Sequence, residues 1–429
     1  MMDTERLYAH FRKSTGACTD TRQLRPGAMF FALKGPNFNA NTLAAQALEG
    51  GCAFAVVDDP AVVRDERYLL VPGVLAALQE LARHHRRTCP LPVIAITGTN
   101  GKTTTKELVH AVLAADRPTL ATEGNLNNHI GVPLTLLKLK PEHRIAIIEM
   151  GASKPGDIAE LCAIAEPTHG LITNIGKAHL EGFGSLEGVV RTKTELYAWL
   201  RGHAGIAFVH GDDTLLMEKS EGLERITYGG RAGLDTRGHA VEGQGPCMEL
   251  ILDDDRENGH IRTRLIGNYN APNALVAVCI GRHFGVPDGL IAKAIAGYTP
   301  ANSRSQLKDT GRNELVLDAY NANPTSMATA LENFAKLGGG KPKLAILGDM
   351  LELGAVSRSE HAAIAALVDK LGLDALFVGH EFMQALGDKR CHAHVKAAVE
   401  ALTADPPSGR MILVKGSRGI HLEEVVAVL

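Results

Sequence analysis

Apolar residues in this chain fall into short continuous runs separated by segments with helical spacing. Val93-Ile94-Ala95-Ile96 is one such run, and Leu108, Val109, Val112 and Leu113 follow it at the spacing of one helix face. The pattern predicts a buried strand, a turn and an amphipathic helix. The same alternation recurs along the chain. Met29 to Leu33 and Phe54 to Val57 read as strands, and Asn41 to Glu49 and Val74 to Arg87 as helices. Arg144 to Glu149 and Gly170 to Asn174 read as buried strands, and Gly188 to Tyr197 as a helix. Residues 229–262 alternate weakly and suggest peripheral antiparallel strands. Glu314 to Asp318, Lys343 to Leu347, Asp374 to Val378 and Met411 to Val414 read as strands. Helices are expected between them at 325–337, 357–371 and 417–428, with Gly338 as a C-terminal cap.

Strands alternating with helices imply a mostly parallel sheet. Two linkers divide the pattern. Thr88-Cys89-Pro90-Leu91-Pro92 disfavours helix continuation, and Gly297-Tyr298-Thr299-Pro300 marks a second break. The expected architecture is α/β with three domains. A smaller N-terminal α/β domain spans 1–89, a central phosphate-loop ATPase-type parallel sheet spans 90–300, and a doubly wound, Rossmann-like domain spans 301–429. The length of 429 residues agrees with that number at about 100–200 residues per domain.

Composition removes several classes. Forty-five basic and 48 acidic residues leave a net charge of −3, with no basic tract, so nucleic acid is not an expected partner. No apolar run approaches the roughly 18 residues of a membrane helix, and the start Met-Met-Asp-Thr-Glu-Arg lacks the apolar core of a signal peptide. Seven cysteines stand singly without a Cys-x-x-Cys pair, which reads as reduced thiols in a cytoplasmic protein rather than a disulfide frame or zinc site.

Candidate chemistry sits at the strand ends. The first strand runs into Thr97-Gly98-Thr99-Asn100-Gly101-Lys102-Thr103-Thr104. Backbone N–H groups and a helix N-terminus suit an anion there, Lys102 adds a point charge, and the Thr103 hydroxyl suits Mg²⁺. This is a shortened phosphate loop: Ile96 occupies the position of the usual first glycine, and Gly98 takes that role. Glu149 and His179 lie just past other strand ends, where open parallel sheets bind ligands. Lys193 by itself reads as a surface lysine. Asn268, Asn270 and Asn273 precede a helix, as caps or as partners of a purine edge.

Thr19, Asp20, Thr21 and Arg22 suit a polar ligand such as a nucleotide sugar, or form a solvated turn. In the last domain Asp318 leads into Ala319-Tyr320-Asn321-Ala322-Asn323-Pro324, Asp349 and Glu352 follow another strand, and Lys415-Gly416-Ser417-Arg418 a third. A basic strand end with an N-capping Ser417 is a natural carboxylate receptor.

Taken in order, the phosphate loop, Glu149, His179, Lys193, Asn273 and Asp318 resemble the Mur ligases of peptidoglycan synthesis over essentially the whole chain. The runs from Asp318 to Pro324, from Leu347 to Gly354 and from Lys415 to Arg418 are similar to the branch that adds D-alanyl-D-alanine to UDP-N-acetylmuramoyl-tripeptide. The resemblance implies ATP and Mg²⁺ as cofactors, an acyl-phosphate intermediate, and closure of the last domain over the substrates. It implies that Lys102 binds the β- and γ-phosphates, that Thr103 and Glu149 bind Mg²⁺, and that His179 is a ligand of a second ion. It implies that Lys193 is carbamylated, which turns a cation into an anionic metal ligand. Asn273 is expected to face adenine, and Arg304 and Asp318 the ribose or phosphates. Asn127 and Asn128 are expected to contact the muramoyl end, and Tyr320, Asn321, Asn323, Asp349, Glu352, Lys415, Ser417 and Arg418 the dipeptide. Tyr269 departs from the histidine of many relatives, and Asn302-Ser303 from the glycine that commonly precedes the arginine. The alternative is another ligase of the superfamily, a different Mur ligase or folylpolyglutamate synthase. A monomer is expected.

Overall fold

The computed structural model describes residues 2–242, 246–253, 259–300, 304–338, 340–387 and 389–429. Each expected segment carries its own sheet. In the first, Ala17–Cys18, Met29–Phe31, Phe54–Val57 and Tyr68–Leu70 pair in that order, all parallel. The outer two strands were not expected, because two or three residues are too few to show a period. The helix Thr4–Phe11, capped by Asp3, was also not expected. The stretch read as a helix from Asn41 begins as a 3-10 turn, Ala40–Leu43, and becomes α-helical at Ala44–Glu49.

Among the described residues the central sheet has nine strands. Val93–Thr97 lies inside it, between Ile145–Glu149 and His169–Ile172, and both of its pairings are parallel. Both faces are covered. Val93, Ala95, Ala146 and Ile148 face one core, and Ile94, Ile96, Ile145 and Ile147 face another. That two-sided burial is why the strands read as continuous apolar runs. Lys102–Ala114 and Ala271–His283 pack together on one face. The edge holds the expected antiparallel strands, Thr236–Glu242, Cys247–Leu252 and His260–Ile266. Parts of the 229–262 stretch, residues 243–245 and 254–258, lie outside the described residues, as do Asn302 and Ser303.

The first sheet and the central one share a core. Leu7, Phe31, Leu78 and Leu81 join the same apolar cluster as Val132, Leu136, Ile158 and Leu161. The helix Val74–Thr88 forms this seam, and Arg86, buried in it, donates to the carbonyls of Ala165 (3.2 Å), Glu166 (3.3 Å) and Cys89 (2.9 Å).

Among the described residues the C-terminal sheet has six strands. Glu314–Asp318 is not its first: an antiparallel edge strand, Gln306–Asp309, precedes it. Helices His380–Leu386 and Val395–Ala404 add to the expected Pro324–Lys336 and Ser357–Lys370. The helix expected at 417–428 is instead two 3-10 segments, Arg418–Ile420 and Leu422–Ala427, broken at His421 by a left-handed φ of +56°. The helix expected from Gly188 to Tyr197 is likewise two, Leu186–Lys193 and Glu195–Gly202, meeting at Thr194.

Candidate active site

The carboxyl ends of the central strands open into a cavity of about 1340 Å³ whose opposite wall is the C-terminal domain. Thr99 to Thr104 form its floor. The loop's shape depends on two glycines. Gly98 has φ +140°, and a Cβ there would lie 2.0 Å from Thr173 Oγ1; Gly101 has φ +78°, and a Cβ there would lie 2.8 Å from Asn273 Oδ1. Any side chain at either position would displace the loop's supports. Gly101 then caps Lys102–Ala114, so the helix N-terminus points at the cavity.

Thr173 and Asn174, at a strand end where sequence reasoning had singled out only the later His179, hold the loop from one side. Thr173 Oγ1 donates to the Asn100 carbonyl (2.6 Å), Asn174 Nδ2 donates to the same oxygen (3.0 Å), and Asn174 Oδ1 accepts the Asn100 N–H (3.0 Å). The signal was available, since both residues directly follow the strand neighbouring the phosphate-loop strand.

Lys102 Nζ donates to the carbonyls of Gly98 (2.8 Å) and Thr99 (2.9 Å). Burial lowers its pKa to about 8; Glu149 opposes the shift and Arg304 adds to it. Thr103 Oγ1 donates to Glu149 Oε2 (2.9 Å), and Asn127 Nδ2 donates to Glu149 Oε1 (2.8 Å). Asn127 therefore orients Glu149, and Asn128 Oδ1 accepts the N–H groups of Ile130 (3.1 Å) and Gly131 (2.8 Å). Both still line the cavity. Asn273 Oδ1 accepts from Thr105 (3.0 Å), and its amide donates to Asn270 (2.9 Å).

Lys193 is not the surface lysine its isolated sequence suggests. It is 3% exposed at the end of its helix, and burial, with Lys102 second, lowers its pKa to about 7. An amine that is substantially neutral near pH 7 suits carbamate formation. His179, in the left-handed region at φ +49°, pairs through Nδ1 with Glu352 of the C-terminal domain. Burial lowers its pKa, and the Glu352 carboxylate is the largest opposing influence.

Several expected dipeptide contacts are otherwise engaged. Lys415 is 2% exposed and lines the cavity; it donates to the partly buried Asp318 (2.5 Å) and to the Asn321 carbonyl (3.2 Å), so it already balances a carboxylate of the protein. Ser417 makes no cap; it accepts the Leu351 N–H (3.0 Å) and donates to the Ala322 carbonyl (3.3 Å). Asp349 is buried and accepts the N–H groups of Glu381 and Phe382 (both 2.9 Å), which makes it a helix anchor. Asn323 caps Pro324–Lys336. Arg418 lies over the Tyr320 ring at 5.5 Å, and Arg304 over the same ring at 3.7 Å. Tyr320, Asn321, Arg304 and Asp318 do line the cavity.

Thr19, Asp20, Thr21 and Arg22 stay apart from it. Asp20 caps the turn Thr21–Gln23 and pairs with Arg22 (2.8 Å), and of residues 1–89 the cavity wall takes Leu75. The structure also adds Ser153, Lys154, Asp157, His210 and Asp212 to the wall.

The donor set fits Mg²⁺ bound with a nucleotide. Among the described residues no three His, Cys, Asp or Glu side chains cluster as a metal cage. One hydroxyl and one carboxylate, Thr103 and Glu149, suit an ion that takes its remaining oxygens from phosphates and water.

Fold and site together define a multidomain phosphate-loop enzyme whose nucleotide cradle faces a second α/β domain. Residues 96–281 match the model of the Mur ligase middle domain, and residues 303–418 that of the Mur ligase glutamate ligase domain. The UDP-N-acetylmuramoyl-tripeptide--D-alanyl-D-alanine ligase of Bacillus subtilis is 34% identical over 424 residues, covering 96% of this chain and 92% of its own. A crystal structure of MurF from Acinetobacter baumannii superposes with a TM-score of 0.86 at 31% identity, covering 99% and 97% of the two chains. MurF ligase from Thermotoga maritima, solved in complex with ADP, has a TM-score of 0.83 at 27% identity and covers 97% of each chain. The chain belongs to the Mur ligase family.

Proposed function

We infer that this Mur ligase joins D-alanyl-D-alanine to UDP-N-acetylmuramoyl-tripeptide at the expense of ATP, the last amide bond of the peptidoglycan precursor. The observation that carries the reading is a cavity shared by the phosphate loop and Glu149 on one wall and Tyr320 and Asn321 of the C-terminal domain on the other. Segments 1–89, 90–300 and 301–429 are taken as the domains for the nucleotide sugar, ATP and dipeptide. The pool of UDP-sugar and ATP puts the reaction in the cytoplasm, and among the described residues no helix is long and apolar enough to cross a membrane.

The substrate carboxylate is a poor electrophile, so it takes the γ-phosphoryl group first. Its oxygen attacks phosphorus, ADP leaves, and the acyl phosphate carries a good leaving group. Thr103 and Glu149 would hold Mg²⁺, which would supply charge neutralisation at the transferring group. Lys102 offsets the repulsion between the two anions once it exchanges the Gly98 and Thr99 carbonyls for phosphate oxygens. Arg304, stacked on Tyr320, adds positive charge on the opposite wall. The dipeptide amine then attacks the acyl carbon, the tetrahedral intermediate expels phosphate, and the proton lost by the amine leaves with that phosphate. Closing the C-terminal domain over the loop keeps water from the acyl phosphate.

Phosphate release is the test. With UDP-N-acetylmuramoyl-tripeptide it is expected to require D-alanyl-D-alanine, with D-alanine or L-alanine at least tenfold poorer. A site that pairs a peptide unit leaves groups unsatisfied when a lone amino acid binds, at about 1–3 kcal/mol per unmade bond. Equal rates with D-alanine, or good activity on UDP-muramoyl-monopeptide with D-glutamate, would assign another reaction of the family.

A further inference from the structure

Asn323 sits in the stretch expected to bind the dipeptide, yet its side chain is turned to the phosphate loop. Its Nδ2 donates to Asn100 Oδ1 at 2.8 Å, and Asn100 Nδ2 lies 3.5 Å from Asn323 Oδ1, a reciprocal amide pair between two domains. The same Oδ1 accepts the Ser326 N–H at 2.9 Å and the Asn323 N–H donates to Ser326 Oγ, which closes a capping box on Pro324–Lys336. Asn323 is 6% exposed.

At the other end of the pair the Asn100 backbone is held on both sides, by Thr173 and Asn174. These bonds tie the Asn100 backbone, two residues before Lys102, to the neighbouring strand end. Beside the pair, Thr325 Oγ1 accepts the Lys177 N–H at 3.0 Å, and Lys177 Nζ pairs with Glu360 at 2.7 Å. One helix N-terminus of the C-terminal domain is thus docked on the tip of the phosphate loop and on the loop after His169–Ile172.

We propose that Asn323 is a positioning residue that acts through Asn100, registering the C-terminal domain against the phosphate loop so that the amine substrate meets the acyl phosphate. The helix it caps starts three residues after Asn321 and four after Tyr320, both on the cavity wall, so a slip at Asn323 moves the dipeptide-facing residues as a unit. The amide pair is short and uncharged. It carries direction, which a salt bridge between flexible chains would not.

This proposal rests on the ligase reaction above, which the dipeptide dependence of the unaltered enzyme establishes before any variant is made. Asn323→Ser is the useful change, because serine caps a helix about as well as asparagine but cannot reach Asn100 with an amide. Its melting temperature is expected to match the parent, with kcat about tenfold lower and KM for D-alanyl-D-alanine within about twofold. Asn100→Ala is measured alone and combined with Asn323→Ser. The tenfold loss is expected to vanish in the Asn100→Ala background. A tenfold rise in KM for the dipeptide at unchanged kcat would make Asn323 a direct ligand and overturn the proposal. So would losses in kcat that multiply in the double variant, or an Asn323→Ser enzyme with unchanged kinetics. Asn323→Asp, which keeps the cap and loses the donor, guards against a defect peculiar to serine.

Discussion

His179 of the central domain and Glu352 of the C-terminal domain are hydrogen-bonded to each other, and both have left-handed backbone conformations, at φ +49° and +63°. Neither is glycine, so both backbones carry a cost that the contact helps to offset. The Glu352 carbonyl also accepts the Glu181 N–H at 3.3 Å, which makes the contact a two-point clasp. The carboxylate raises the histidine's pKa against burial and the charges of Lys102 and Lys193. Glu352→Ala is therefore expected to lower the His179 pKa further, seen in the pH dependence of its imidazole NMR signals, and to reduce kcat about tenfold. An unmoved titration with a raised dipeptide KM would return Glu352 to the substrate-binding role expected from sequence.

Lys102 gives the sharpest test of the phosphate loop. Lys102→Ala is expected to reduce turnover at least about a hundredfold, the size of effect seen when one electrostatic stabiliser is removed, with the fold intact by circular dichroism. More than a tenth of the parent rate would remove the assignment.

Lys193 has the burial and the lowered pKa that carbamate formation needs. Lys193→Ala is expected to be nearly inactive and to be partly rescued by short carboxylates. With ¹³C-bicarbonate, the parent enzyme should show a carbamate resonance that the variant lacks. A fully active Lys193→Ala enzyme would leave this lysine without a part in the reaction.

The Lys415–Asp318 pair is internal, with side chains 2% and 21% exposed. Lys415→Met strands a partly buried carboxylate and is expected to cost about 3 kcal/mol in urea unfolding. Asp318→Asn in the same chain should recover part of that loss. Unchanged stability with a weakened dipeptide KM would favour the carboxylate-receptor role.

His169 lies at the far end of its strand from the cavity, its Nε2 3.2 Å from that of His283, with Phe208 and Phe284 around it. Burial, then His283, lowers its pKa to about 4 from an ordinary 6.5. Between those values the unfolded chain binds a proton that the folded chain refuses, so stability falls as pH drops through that window and is regained as pH rises. Discounted for partial exposure, the effect is about 1–2 kcal/mol. His169→Gln is expected to flatten the dependence of melting temperature on pH between 6.5 and 4. An unaltered slope would place the acid sensitivity elsewhere.

Some of this molecule is local and was legible without coordinates. Val93 to Ile96 is apolar at every position because both faces of the strand are covered, and Gly98 and Gly101 stand where the backbone needs positive φ. The helix read at 325–337 forms as Pro324–Lys336, and its cap is Asn323, which sequence reasoning had assigned only to the dipeptide. Short strands such as Ala17–Cys18 left no period to read, and the stretch after Lys415 has helical composition but 3-10 backbone, because a left-handed His421 interrupts it. What the tertiary structure decided was partnership. Asn100 and Asn323 are 223 residues apart, His179 and Glu352 173, and Asp318 and Lys415 97. Hydrophobic period and turn chemistry depend on neighbours within a few residues, so they set where strands end and which groups stand there. Which end faces which depends on strand order and domain packing. Those turned an apparent surface lysine, Lys193, into a buried amine, and gave Lys415 a counter-charge, Asp318, that its sequence neighbours do not name.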